Sequence, residues 1–118
     1  MTKKMLCMDM PALNALLRRL GITANYTGFS YISYALQLTT ERPERLLFVT
    51  KWLYPDIAAH FGTTASCVER NIRTAVTVCW SRNRGLLEEL AQHPLPKRPK
   101  AAQFLAILTS YFFPDATA

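Results

Sequence analysis

The most constraining feature of the chain is the run Tyr54-Pro55-Asp56-Ile57-Ala58-Ala59-His60-Phe61-Gly62, then Thr63-Thr64, then Ala65-Ser66-Cys67-Val68-Glu69-Arg70-Asn71-Ile72-Arg73. A helix-turn-helix packs two helices steeply across a tight turn, and that geometry makes demands at fixed spacing. The first helix needs a small residue where the second crosses it, and Ala58 supplies one. The turn needs a residue that tolerates positive φ, and Gly62 stands four positions later. The second helix needs a branched apolar residue facing the first, and Val68 stands six positions after the glycine. Ile57, Phe61 and Ile72 are expected to fill the remaining buried positions. The pattern predicts a helix-turn-helix over residues 54–82. A helical hairpin without a nucleic-acid role satisfies the same spacing, so the chemistry of the second helix has to separate the two.

On that helix Val68, Ile72, Val76 and Cys79 recur at core spacing, and Ser66, Glu69, Arg70, Arg73 and Thr77 fall on the opposite face. An arginine can donate two hydrogen bonds to guanine O6 and N7, and a glutamate can accept from the cytosine amino group. Glu69, Arg70 and Arg73 are therefore the candidate base-reading residues. The competing expectation is a solvated Glu69–Arg73 pair, worth only about 0.3–0.5 kcal/mol. Candidate DNA-backbone contacts are Thr63, Thr64 and Ser66 at the anion-attracting N-terminus of the helix, with Arg82 and Arg84 at its far end. The bases of the His93–Lys100 stretch, Lys97, Arg98 and Lys100, read either as non-specific contacts or as a solvated loop. A net charge of +6 and a pI near 9.6 suit an anionic partner, nucleic acid or an acidic membrane surface.

The remaining chain reads as helices between breaks. Asp9 and Pro11 open the first, with Leu13, Leu16, Leu17 and Leu20 on one face and Gly21 ending it. A second starts at Thr27 or Gly28, with Phe29, Ile32 and Leu36 on one face and Tyr31, Tyr34 and Gln37 on the other. Residues 44–53 read as a third helix, with Leu46, Leu47, Val49 and Leu53 as its apolar positions. Residues 55–61 form a short fourth, capped by Gly62. Thr64 caps a longer one to about Arg82, and Gly85 closes that unit. Residues 86–92 read as a brief helix, and His93-Pro94-Leu95-Pro96-Lys97-Arg98-Pro99-Lys100 as a loop. The last helix covers about 101–112, with Phe104, Leu105, Leu108 and Phe112 on one side and Pro114 ending it. The expected fold is all-α, about six helices around a central helix-turn-helix, in a single domain over residues 1–118.

Other classes are disfavoured. With 118 residues, half of them hydrophobic and 19% charged, the chain has material for one core. Its three cysteines, Cys7, Cys67 and Cys79, form no CxxC pair, which fits a reducing cytoplasm. No signal or membrane-spanning segment is expected. A membrane-surface role needs a basic amphipathic helix, and the last helix has no cation after Lys100. His60 and His93 are not paired with cysteines at metal-ligand spacing, and the scattered glycines build no phosphate loop. Neither an enzyme, a metal site nor a cofactor is expected, and His60 reads as a partly exposed helix residue.

Leu53-Tyr54-Pro55-Asp56-Ile57-Ala58, Thr63-Thr64-Ala65-Ser66, Val68-Glu69-Arg70, Ile72-Arg73 and Trp80-Ser81-Arg82, with Gly21-Ile22 and Gly28-Phe29 upstream, resemble the C-terminal effector domain of the stage-zero sporulation master response regulators of Firmicutes. The resemblance runs from about Met10 to Phe112. It implies a six-helix fold, binding to a short TGTCGAA-like box in double-stranded DNA as tandem copies with neighbouring domains touching, and control of transcription through RNA polymerase. Glu69, Arg70 and Arg73 match that family's base-reading positions. Residues 86–92 match, with divergence, the region that meets the polymerase sigma subunit. The family usually has an arginine at Cys67, so this chain is expected to contact DNA less strongly or to prefer another box. No receiver domain is expected within the chain, which leaves an excised domain or a stand-alone protein. The alternative function is an interaction protein that pairs with a full-length sporulation regulator through Tyr111, Phe112 and Phe113 of the last helix. Ordinary core packing of that helix competes with this reading.

Overall fold

The computed structural model describes residues 10–112. Its helices are α1 (Met10–Arg19), α2 (Thr27–Glu41), α3 (Tyr54–Phe61), α4 (Ala65–Ala91) and α5 (Ala101–Phe112). Pro43–Phe48 forms a 3₁₀ turn and Val49–Leu53 a single π turn between α2 and α3. The described residues form an all-helical fold with no strand. The caps expected at Asp9 and Pro114, and Phe113, lie outside the described residues.

α2 and α4 are the axis of the fold: they pack most extensively on each other, and α4 also carries α3 and α5. The core joins Leu13 and Leu17 of α1, Ile32 and Leu36 of α2, Ile57 of α3, Val68, Ile72 and Val76 of α4, and Phe104 and Leu108 of α5. α2 is covered on nearly all sides. Its expected outer face is wrong at Tyr31, which is buried, and Ser33, Leu38, Thr39 and Thr40 are buried as well. Polar groups enter this core only as partners: the Thr39 and Thr109 hydroxyls lie 3.2 Å apart and join α2 to α5. Thr109 also donates to Leu105 O at 2.9 Å, so its hydroxyl is satisfied without water.

The packing of α2 on α4 depends on Gly28. A Cβ there would stand 2.4 Å from the Asn71 carbonyl oxygen and 3.1 Å from the Ala75 Cβ. Only a missing side chain lets the two backbones come this close.

Two expected elements are corrected. Residues 44–53 are not one α-helix: Phe48 (φ −136°, ψ 58°) breaks the run. Leu53 is buried, but Leu47 is 74% exposed, and Phe48 packs against Trp52 at the surface with the two rings tilted. The tight turn followed by a wide one turns the helical repeat, so the apolar positions no longer share one face. Gly85 does not end the long helix. The break comes at Asn83 (φ −152°, ψ 60°), one residue past the expected end at about Arg82, and helical geometry resumes through Gly85 over the expected short helix to Ala91, where Gln92 caps it in the left-handed region.

Candidate nucleic-acid interface

Gly62 adopts φ 67°, ψ 42°, and the Thr63 N–H donates back to Ala58 O at 2.9 Å, which ends α3 and reverses the chain. Thr64 is extended, and its hydroxyl oxygen accepts the Cys67 N–H at 3.1 Å, the side-chain cap expected for α4. The Thr64 hydroxyl keeps its own hydrogen for a further acceptor. Ile57, Ala58, Val68 and Ile72 are buried as the spacing requires, whereas Phe61 is 39% exposed. Phe61 instead closes an aromatic cluster: it lies 5.1 Å from the Tyr31 ring, and His60 beside it stacks on Tyr34 at 4.0 Å. His60 is exposed, as expected.

α3 is also held from outside. Arg45 reaches Asp56 Oδ2 through Nε at 3.1 Å and a terminal nitrogen at 2.9 Å. Its other terminal nitrogen approaches Leu38 O at 3.5 Å, so one guanidinium joins the end of α2 to the first turn of α3. Asp56 occupies the helix N-terminus, where an anion is favoured.

Val68, Ile72, Ala75, Val76 and Cys79 form the buried stripe of α4. Ser66, Arg70, Arg73 and Thr77 are exposed on the other side, with Glu69 half-buried. An Arg73 terminal nitrogen lies 2.8 Å from Glu69 Oε1. An exposed i, i+4 pair is worth about 0.3–0.5 kcal/mol, and a bidentate base contact discriminates by about 1–3 kcal/mol. The pair therefore orients the two side chains without preventing their use on a base.

Cys67 lies inside the first turn of α4. Asn71 Nδ2 contacts its Sγ at 3.3 Å and its carbonyl at 2.8 Å. The Thr63 hydroxyl holds the thiol below its usual range against partial desolvation, with Tyr31 and the Arg70 cation adding.

The far end of α4 is organised by Asn83. Its Oδ1 accepts the Leu86 N–H at 3.3 Å and its Nδ2 donates to Arg19 O at 2.9 Å. The aliphatic stem of Arg82 lies over Gly21, and Arg82 is exposed. Arg84 is placed differently. Its guanidinium donates to Leu95 O at 2.7 Å, sits 4.1 Å from the Trp80 ring centroid and approaches Glu88 at 3.4 Å. The Leu95 N–H, and then Arg84, hold the Glu88 carboxyl below its usual range.

One neighbour of the exposed face of α4 was not apparent from spacing. Residues 97–100 fold alongside α4, so that Lys97, Arg98, Lys100 and Gln103 line one groove with Glu69 and Arg73. Residues so distant in sequence meet only through the packing of α5 on α4.

A tight turn, a capped second helix and an exposed cationic face are thus combined. The model of the family described as "Sporulation initiation factor Spo0A C terminal" matches residues 13–112. The chain belongs to that family. As a Spo0A C-terminal domain it is a DNA-binding regulatory domain of sporulation initiation, in a family of regulators rather than enzymes. The match runs from within α1 to the last residue of α5, so the helix-turn-helix and its supports all fall inside it. Among the described residues no helix is long and apolar enough to cross a membrane.

Proposed function

We propose that the domain reads a short TGTCGAA-like box in the major groove with Glu69, Arg70 and Arg73, in the cytoplasm, as a transcription regulator. The observation that carries this reading is the exposure of Arg70 and Arg73 on the face of α4 opposite its buried stripe, directly after the Gly62 turn. Thr63, Thr64 and Ser66 are proposed to meet phosphates at the start of α4, and Arg82 and Arg84 at its far end. Arg84 must first exchange its contact with Leu95 O for a phosphate. Two domains on tandem boxes would touch as a homodimer, and residues 86–92 would face the polymerase sigma subunit. Support for both comes from family membership alone.

The test is binding to a labelled duplex carrying the box against a scrambled duplex at two salt concentrations. Arg70→Ala is expected to cost about 1–3 kcal/mol on the box and to relax specificity at one base pair. Unchanged affinity for both duplexes would remove Arg70 from the reading face. Binding by the unaltered domain to neither duplex would favour the second reading, an interaction protein for a full-length regulator. Tyr111, half-exposed at the end of α5, is the residue that supports it; Phe112 packs against the core.

A further inference from the structure

We propose that residues 97–100 form a second DNA-contact element, a braced basic loop that takes the phosphates of the strand flanking the reading helix. The inference rests on the reading of α4 as the DNA-facing helix.

The loop is pinned at both ends. Leu95 is buried, its N–H donates to Glu88 Oε2 at 2.8 Å and its carbonyl accepts from Arg84 at 2.7 Å. Pro99 and Ala101 are buried, and Lys100 O accepts the Phe104 N–H at 2.9 Å to start α5. Pro94, Pro96 and Pro99 restrict the backbone between these anchors. Lys97, Arg98 and Lys100 are exposed on this frame. Among the described residues, none of the three has an ion-pair partner. The groove they share holds four cations, counting Arg73, against one carboxylate, Glu69, whose Oε1 faces Arg73. A merely solvated loop requires neither this bracing nor this concentration of like charge beside the reading helix.

Position selects the ligand. An α-helix with its side chains is about 10–12 Å across and the major groove about 12 Å wide, so a helix in the groove nearly fills it. Whatever flanks the helix at the level of Glu69 and Arg73 therefore meets a phosphate ridge rather than base edges. Exposed lysines and arginines suit phosphate, and ordering them beforehand reduces the entropy lost on binding. The bond from the Leu95 N–H to Glu88 Oε2 ties the loop to α4 and does not depend on Arg84, which is left to exchange Leu95 O for a phosphate.

The experiment uses the full chain with Lys97→Ala, Arg98→Ala and Lys100→Ala combined, with retained helicity checked by circular dichroism. Affinity for the box and for the scrambled duplex should fall alike, roughly tenfold at moderate salt. The slope of log K against log salt should become shallower by about 0.9 for each phosphate the variant no longer neutralises. Methylphosphonates placed one at a time along the backbone should reveal positions that weaken the unaltered domain but not the triple variant. A control that removes equal charge elsewhere, Arg18→Ala, Arg42→Ala and Lys51→Ala, should keep sensitivity at those positions. Unchanged affinity and slope in the loop variant would overturn the inference. So would a weakening confined to the box, or identical methylphosphonate profiles in all three proteins. If the unaltered domain binds neither duplex, the reading of α4 itself fails, an outcome distinct from failure of the loop alone.

Discussion

Gly62 and Gly85 look alike in sequence, each closing an apparently complete helical run, yet the chain treats them oppositely. At Gly62 the backbone enters the left-handed region and reverses between α3 and α4. At Gly85 the helix continues, and a Cβ would meet nothing within 4 Å. The second break stands two residues earlier, at Asn83, and has the same chemistry as Thr64: a side-chain oxygen accepts the N–H three residues on. A glycine permits a turn, whereas a cap with a tertiary partner makes one. For Asn83 that partner is the Arg19 carbonyl at the end of α1.

A third glycine provides the largest expected effect. Gly28→Ala drives a methyl into the Asn71 carbonyl, and neither helix can retreat without opening the core between α2 and α4. Thermal or urea unfolding should show a loss of about 3 kcal/mol; a near-neutral result would mean that the helices separate easily. The two glycines themselves come next, with opposite signs. Gly62→Ala should destabilise by about 1–2 kcal/mol, because alanine is forced to positive φ. Gly85→Ala should stabilise by up to about 1 kcal/mol, the ordinary helical gain over glycine. The contrast breaks down if both substitutions move the midpoint in one direction. Asn83→Ala should cost about 1 kcal/mol by removing the cap, and Asn83→Asp, which keeps the acceptor but not the donor to Arg19 O, should recover part of it. Full recovery would assign the break to the cap alone.

The smallest effect is chemical. Cys67, with its thiol held low by the Thr63 hydroxyl, presents more thiolate near neutral pH than an ordinary cysteine. Cys79 is buried and its thiol pushed up to about 12. Iodoacetamide followed by peptide mass spectrometry should therefore modify Cys67 well before Cys79 in the folded domain and both alike in denaturant. Equal folded-state rates would contradict the packing of α4.

Much of the site was readable because it depends on local rules. The spacing of Ala58, Gly62 and Val68, the cap at Thr64 and the stripe of Val68, Ile72 and Val76 each follow from one or two helical turns. The misreadings fall where neighbours override local pattern. Phe61 fits the apolar spacing but joins an edge cluster with Tyr31 and Tyr34. Tyr31 looks like an outer residue of α2 and is buried, because α2 is enclosed by other helices. Residues 44–53 carry helical spacing, yet Phe48 leaves the helical region and the exposed Leu47 and Trp52 follow from that turn.

The sequence by itself determined the helix-turn-helix, its capped turn and the side chains presented by α4, since these are set by backbone preference and by a 3.6-residue repeat acting over short distances. Only the tertiary structure decided that helical geometry resumes through Gly85 after the break at Asn83, which polar groups pair inside the core, and that a basic loop nearly thirty residues downstream lies beside Glu69 and Arg73. Those features depend on contacts between segments far apart in the chain, and no local periodicity records them.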